Sequence, residues 1–171
     1  MSILQEEACK TLTTEHRAEL ELSGLTSQTI EASGWYSESD QRKIRAILRR
    51  RELPVDLGPC LVIPYRNHDG TFSEYRRVKP SNLIGDGRKY ESPVGLSNRA
   101  FFPPNTIPQL SSSSTIVITE GEKKALASDQ AGIACIGLSG VWNWPKKRDK
   151  TKTPNDERFL IDDLNLSLIH I

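Results

Sequence analysis

The sequence has 171 residues, enough for one ordinary domain or two small ones sharing a core. A hydrophobic fraction of 36% and a mean hydropathy of −0.48 describe a polar globular protein and argue against both a membrane bundle and a disordered chain. The formal net charge of +1 selects no partner by itself, so any electrostatic message lies in how the charges are distributed.

No run approaches the roughly 18 apolar residues that span a bilayer. The start, Met1-Ser2-Ile3-Leu4-Gln5-Glu6-Glu7, lacks the basic and apolar regions of a secretory signal, and the cytoplasm is the expected compartment. Cys9, Cys60 and Cys135 are far apart and, with His16, His68 and His170, complete no zinc-binding spacing. They read as reduced packing residues.

In chain order, Ile3 to Leu22 reads as a helix stopped by Ser23-Gly24. Thr26 can cap a short helix over Ser27–Ala32 that ends at Ser33-Gly34. Ser37 or Ser39 can cap a third from Asp40 to Arg51, on which Ile44, Ile47 and Leu48 form one apolar stripe. Up to Asp40 acids outnumber bases, whereas Arg42-Lys43 through Arg49-Arg50-Arg51 is strongly basic. Such a cluster suits an anionic partner, with Arg45 and Arg49 as candidate contacts, or else forms a solvated helix face.

From Pro59 the hydrophobic period changes. Cys60–Arg66 predicts a strand, Asn67-His68-Asp69-Gly70 a turn and Thr71–Lys79 the returning strand of a hairpin. Arg88-Lys89-Tyr90 predicts a further short strand, and Ser92 to Ser114 reads as an irregular Pro-, Asn- and Ser-rich connector. Thr115–Thr119 is a continuous apolar run of the kind buried on both faces of a parallel sheet. Glu122–Ala131 predicts a helix ended by Gly132, and Ile133–Ile136 a second buried strand. Together they make a βαβ unit, so the expected class is α/β, α+β overall. The expected divisions are a helical segment over 1–53, a basic hairpin subdomain over 54–110 and a partial βαβ domain over 111–171.

Ligands of open parallel sheets bind beyond the carboxyl ends of the strands, where Glu120 stands. Gly121 beside it lets backbone approach a phosphate or metal, and Gly137 and Gly140 follow the second strand at the same edge. A carboxylate there suits oxygen ligation of Mg²⁺ or general acid–base work. It also suits a plain surface glutamate opening a helix, where the macrodipole favours it.

The words Ile116-Val117-Ile118-Thr119-Glu120-Gly121-Glu122-Lys123-Lys124-Ala125 and Ile136-Gly137-Leu138-Ser139-Gly140 resemble the glutamate motif of TOPRIM domains. With Gly140-Val141-Trp142-Asn143-Trp144 they resemble more closely a TOPRIM-like family of unknown function found in plasmid, phage and integrated-element primase or helicase proteins. Ile63-Pro64-Tyr65-Arg66, Tyr75-Arg76-Arg77-Val78-Lys79 and Lys89-Tyr90 resemble the basic hairpin region that precedes TOPRIM in phage-type primases.

The resemblance implies that Glu120 is the metal-associated general acid or base. It also implies that Arg66, Arg76, Arg77, Lys79 and Lys89 face template or nucleotide phosphates. Lys123 and Lys124 would add positive charge near a metal-bound triphosphate, or else face solvent. Trp142 and Trp144 would stack bases or close the core. The implied cofactor is Mg²⁺. The implied partners are single-stranded or primer–template DNA, nucleoside triphosphates and a helicase domain or subunit, with no membrane.

One departure matters. A TOPRIM site also needs a later Asp-x-Asp, and none follows Trp144; Asp162-Asp163 lacks the spacing. The sequence thus carries half of a site and is expected to be a truncated or frame-shifted N-terminal part of a primase-like protein. A non-catalytic nucleic-acid-binding module and a TOPRIM nuclease are the alternatives.

Overall fold

The computed structural model describes residues 11–82, 88–140 and 163. Helix α1 spans Thr14–Leu22 and opens where the Thr13 side chain accepts from the His16 amide. Thr13 is extended (φ −65°, ψ 160°) and acts as the cap, so α1 does not continue back through it; the predicted start at Ile3 lies outside the described residues. Helix α2, Ser27–Ser33, is capped by Thr26 and closed by Gly34 at φ 72°, a left-handed position that glycine adopts without strain. Strand β1, Tyr36–Glu38, follows; nothing in its short, mixed sequence signals a strand. Helix α3, Gln41–Ile47, starts from an Asp40 cap and stops well before the predicted Arg51. Leu48 is fully buried, and Arg49 turns left-handed at φ 52°, which ends the helix.

The hairpin forms as predicted, with β2 over Cys60–Arg66 and β3 over Phe72–Pro80. Gly70, at φ 88°, closes its turn, and Asp69 accepts from the Thr71 amide. β1, β2 and β3 make one antiparallel sheet in that order, with Val62 opposite Val78 and Ile63 opposite Arg77. Alternation then sorts the side chains. Leu61, Ile63, Tyr65 and Tyr75 join one core cluster with Leu20, Ile30 and Trp35. Cys60, Val62 and Val78 join another with Tyr36, Ile44 and Leu48. The sheet is covered on both faces.

The predicted strand at Arg88–Tyr90 is reduced to a single antiparallel bridge between Glu91 and Val78. The connector that follows contains a 3₁₀ turn, Ile107–Gln109, before the βαβ unit. That unit consists of β4 (Val117–Glu120), α4 (Glu122–Gln130) and β5 (Cys135–Leu138), with β4 and β5 parallel. The chain is thus a mixed α/β protein, as its pattern indicates. Helix α4 contributes Ala125 and Leu126 to the cluster that holds Leu61 and Tyr65, so both sheets meet in one core.

Burial departs from expectation at β4. β5 is buried throughout, packed by Ala100 and Phe102 and bridged at Gly137 by Phe101. Val117 and Ile118 are instead 41% and 55% exposed, since among the described residues β4 pairs with β5 alone. Cys60 and Cys135 are buried free thiols, and burial pushes the Cys60 pKa up to about 12; Cys9 lies outside the described residues. Among the described residues no helix is long and apolar enough to cross a membrane.

Candidate active site

Glu120 is the last residue of β4, exposed at the carboxyl edge of the parallel sheet. Gly121 follows at φ 88° with open space where a Cβ would stand, and its amide donates to the Leu138 carbonyl at 2.7 Å. Gly137 is close-packed instead. A Cβ there would lie 3.1 Å from the Ala125 Cβ and 3.3 Å from the Gly121 carbonyl oxygen, so β5 and the start of α4 approach tightly over this glycine. Gly140 follows β5 in a bend at the same edge.

Two residues beyond Glu120 the environment inverts. Glu122, the first residue of α4, is 4% exposed. It accepts the Tyr65 hydroxyl proton at 2.6 Å and pairs with the Arg77 guanidinium at 2.5 Å. Burial, reinforced by the Glu122 charge, raises the Tyr65 pKa well above its ordinary range, so the hydroxyl remains a donor. Burial works against the Arg77 charge, but Glu122 outweighs it and raises that pKa too. The Tyr90 ring lies against the Arg77 guanidinium, 4.9 Å from ring centroid to Cζ. The hairpin sheet thus grips the helix that follows Glu120 by a buried, charge-assisted contact.

A second contact lies alongside. Glu19 of α1 accepts from both Lys79 and Lys123 at 2.5 Å. Burial pushes the Glu19 carboxyl up, but the two ammonium groups more than offset this and hold its pKa below the usual value. Lys124 is exposed.

The other basic residues singled out from the sequence are scattered. Arg66 lies over the Phe72 ring at 4.0 Å and donates to the Gly70 and Ala32 carbonyls. Arg45 is exposed and donates to the Arg51 carbonyl, and Arg49 pairs with Glu74 at 2.7 Å. Lys89 is exposed. Arg76 is half-buried on the sheet face opposite Arg77. Asp163, from the Asp162-Asp163 pair, is buried and accepts from the Arg99 Nε and the Ala100 amide. Trp142, Trp144 and Asp162 lie outside the described residues.

Sequence reasoning missed the roles of Glu122, Tyr65 and Glu19. The available signal was alternation: Tyr75, Arg77 and Lys79 share a face, and that face packs on α4. Among the described residues no three His, Cys, Asp or Glu side chains gather so as to hold a metal ion. Glu120 offers one carboxylate, and Glu122 is taken up by Arg77 and Tyr65, so by themselves the described residues do not fit a magnesium centre.

Residues 109–169 match the model of a domain of unknown function, DUF3854. The fold is similar to three primase structures. The primase of Aquifex aeolicus (zinc-binding and RNA polymerase domains) superposes with a TM-score of 0.55 at 12% identity, over 75% of this chain and 37% of that one. The DnaG primase catalytic domain bound to single-stranded DNA gives 0.52 at 15% identity, over 75% and 49%. The DnaG catalytic core gives 0.53 at 16% identity, over 74% and 47%. No curated protein sequence matches. The chain therefore has a fold similar to that of these primase structures, and it spans less than half of their length.

Proposed function

We propose that this chain is the N-terminal part of a TOPRIM primase-like replication protein of a mobile element, acting in metal-dependent nucleotidyl transfer on DNA. The observation that carries the reading is Glu120, exposed at the carboxyl end of a parallel strand and followed by a left-handed glycine, in a fold shared with primase catalytic domains. Glu120 would serve as a metal-associated general acid or base, with Gly121, Gly137 and Gly140 keeping backbone out of the way of phosphates. Mg²⁺ would need further ligands beyond the described residues.

Glu122, Arg77 and Tyr65 position the strand–helix turn that presents Glu120. Lys79 and Lys123, already tied to Glu19, would lend charge to nucleotide phosphates only by exchanging that carboxylate for them. The test is Mg²⁺-dependent oligonucleotide synthesis by the protein that carries this chain. Glu120→Ala is expected to abolish it; activity that survives removes Glu120 from the mechanism.

A binding-only role is the second reading, favoured by the exposed Arg42, Lys43 and Arg45 on α3. It predicts DNA binding whose log–log salt slope falls by about one for each phosphate-contacting base removed. Affinity that does not change with salt would exclude it.

A further inference from the structure

The two charged contacts that join the hairpin sheet to α4 differ in what can reach them. Arg77 and Glu122 are 10% and 4% exposed, so their bond is closed to any ligand. Lys79 of β3, Lys123 of α4 and Glu19 of α1 are 27%, 26% and 29% exposed, so their contact is open to solvent. Both lysines bind the same carboxylate oxygen, Oε1, at 2.5 Å. Two ammonium groups are thereby held within one carboxylate's reach of each other.

Such an arrangement is unbalanced. One carboxylate cancels only one of the two charges, and like charges so close favour an anion that brings more charge and more oxygens. Lysine binds phosphate as a point charge for the same reason. Lys123 has a further acceptor in the Ser23 Oγ at 3.4 Å, but that hydroxyl carries no charge. Glu19 is kept in place by its neighbour Leu20, which is fully buried and anchors α1 in the core. The carboxylate is therefore present at high effective concentration, while its side chain can swing aside without moving the helix.

We infer that Glu19 is a built-in competitor: it occupies the Lys79–Lys123 pair in place of a phosphate group, and an anionic ligand binds there only by displacing it. The inference rests on the proposed function for the identity of that ligand, a phosphate of a nucleotide or of a DNA backbone. What it adds is a restraint on access to the two lysines, supplied by α1. Glu120 plays no part in it.

Titration calorimetry of the whole chain in EDTA tests it. The probes are tripolyphosphate, standing for the tail of a nucleoside triphosphate, and an unphosphorylated thymidine octanucleotide, standing for backbone phosphates. Glu19→Gln is expected to bind at least one of them about three- to tenfold more tightly than the unaltered chain, with the gain shrinking as salt rises. Which probe gains tells the two sources apart. Glu19→Asp keeps the charge, shortens its reach and should fall between the two. Glu31→Gln removes the same charge from an exposed position on α2 and should give no such gain. Glu19→Gln combined with Lys123→Met should return affinity to that of the unaltered chain or below. Because no synthesis is measured, failure here leaves the role of Glu120 standing, and failure of Glu120 leaves this competition standing. Equal affinity of Glu19→Gln and the unaltered chain for both probes, no saturable binding of either probe by Glu19→Gln, an equal gain in Glu31→Gln, or a gain that survives Lys123→Met would overturn the inference.

Discussion

The two sheets of this molecule are held in opposite ways. The antiparallel sheet lies between two core clusters, and the charge it buries is answered inside the protein, Arg77 by Glu122. The parallel pair is covered along β5 but leaves Val117, Ile118 and Glu120 of β4 to solvent. Two glutamates one residue apart from being neighbours, Glu120 and Glu122, therefore have different tasks. One is held by buried partners and fixes the geometry. The other is exposed at the sheet edge, where a ligand can reach it.

The difference can be broken most severely from the buried side. Glu122→Ala leaves the Arg77 guanidinium buried and unpaired, and should destabilise the fold by roughly 3–5 kcal/mol in urea unfolding. A loss under about 1 kcal/mol would mean that Arg77 finds another partner or water, and that the contact between the sheets is not electrostatic in origin. Gly137→Ala comes next. Its added methyl meets Ala125 and the Gly121 carbonyl, and a cost of about 1–3 kcal/mol is expected from the same measurement. Glu120→Gln should move stability by no more than about 0.5 kcal/mol, as befits an exposed side chain. A large loss there would erase the contrast between the two glutamates.

The smallest effect is on pH. His16, whose pKa burial lowers, stays neutral in the fold, so acidification below its ordinary 6.5 protonates the unfolded chain first and begins to cost stability. Glu19, held below its ordinary 4.5 by Lys123 and Lys79 against the opposing effect of burial, contributes stability that is present above that value and lost as pH falls through its folded pKa. Melting temperatures should therefore fall in two steps on acidification. Glu19→Gln should remove the lower step and His16→Gln the upper one.

Much of the secondary structure was legible because local chemistry decides it. Thr26 before an amphipathic turn, Asp-Gly between two β-rich runs, and an apolar strand, helix and strand punctuated by glycine each specify their element at short range. Glu120 was legible for the same reason, since a strand followed by Glu-Gly places the carboxylate at the sheet edge by chain direction alone. β1 was not, because three residues without a hydrophobic pattern become a strand only when β2 offers them an edge. The early end of α3 likewise depends on Leu48 being drawn into the core.

The sequence by itself determined the capped helices, the hairpin and the order of the βαβ unit, whose causes lie within a few residues of each position. It also determined that Arg76 and Arg77 must face opposite ways, because strand alternation requires it. Only the tertiary structure decided which face would meet α4. That choice buries Arg77 on Glu122 and leaves Arg76 beside an open cavity. It also brings Lys79 and Lys123, far apart in the chain, onto one carboxylate of α1. The worth of a charge depends on what surrounds it, and that is set by packing between distant segments rather than by the residue's neighbours in sequence.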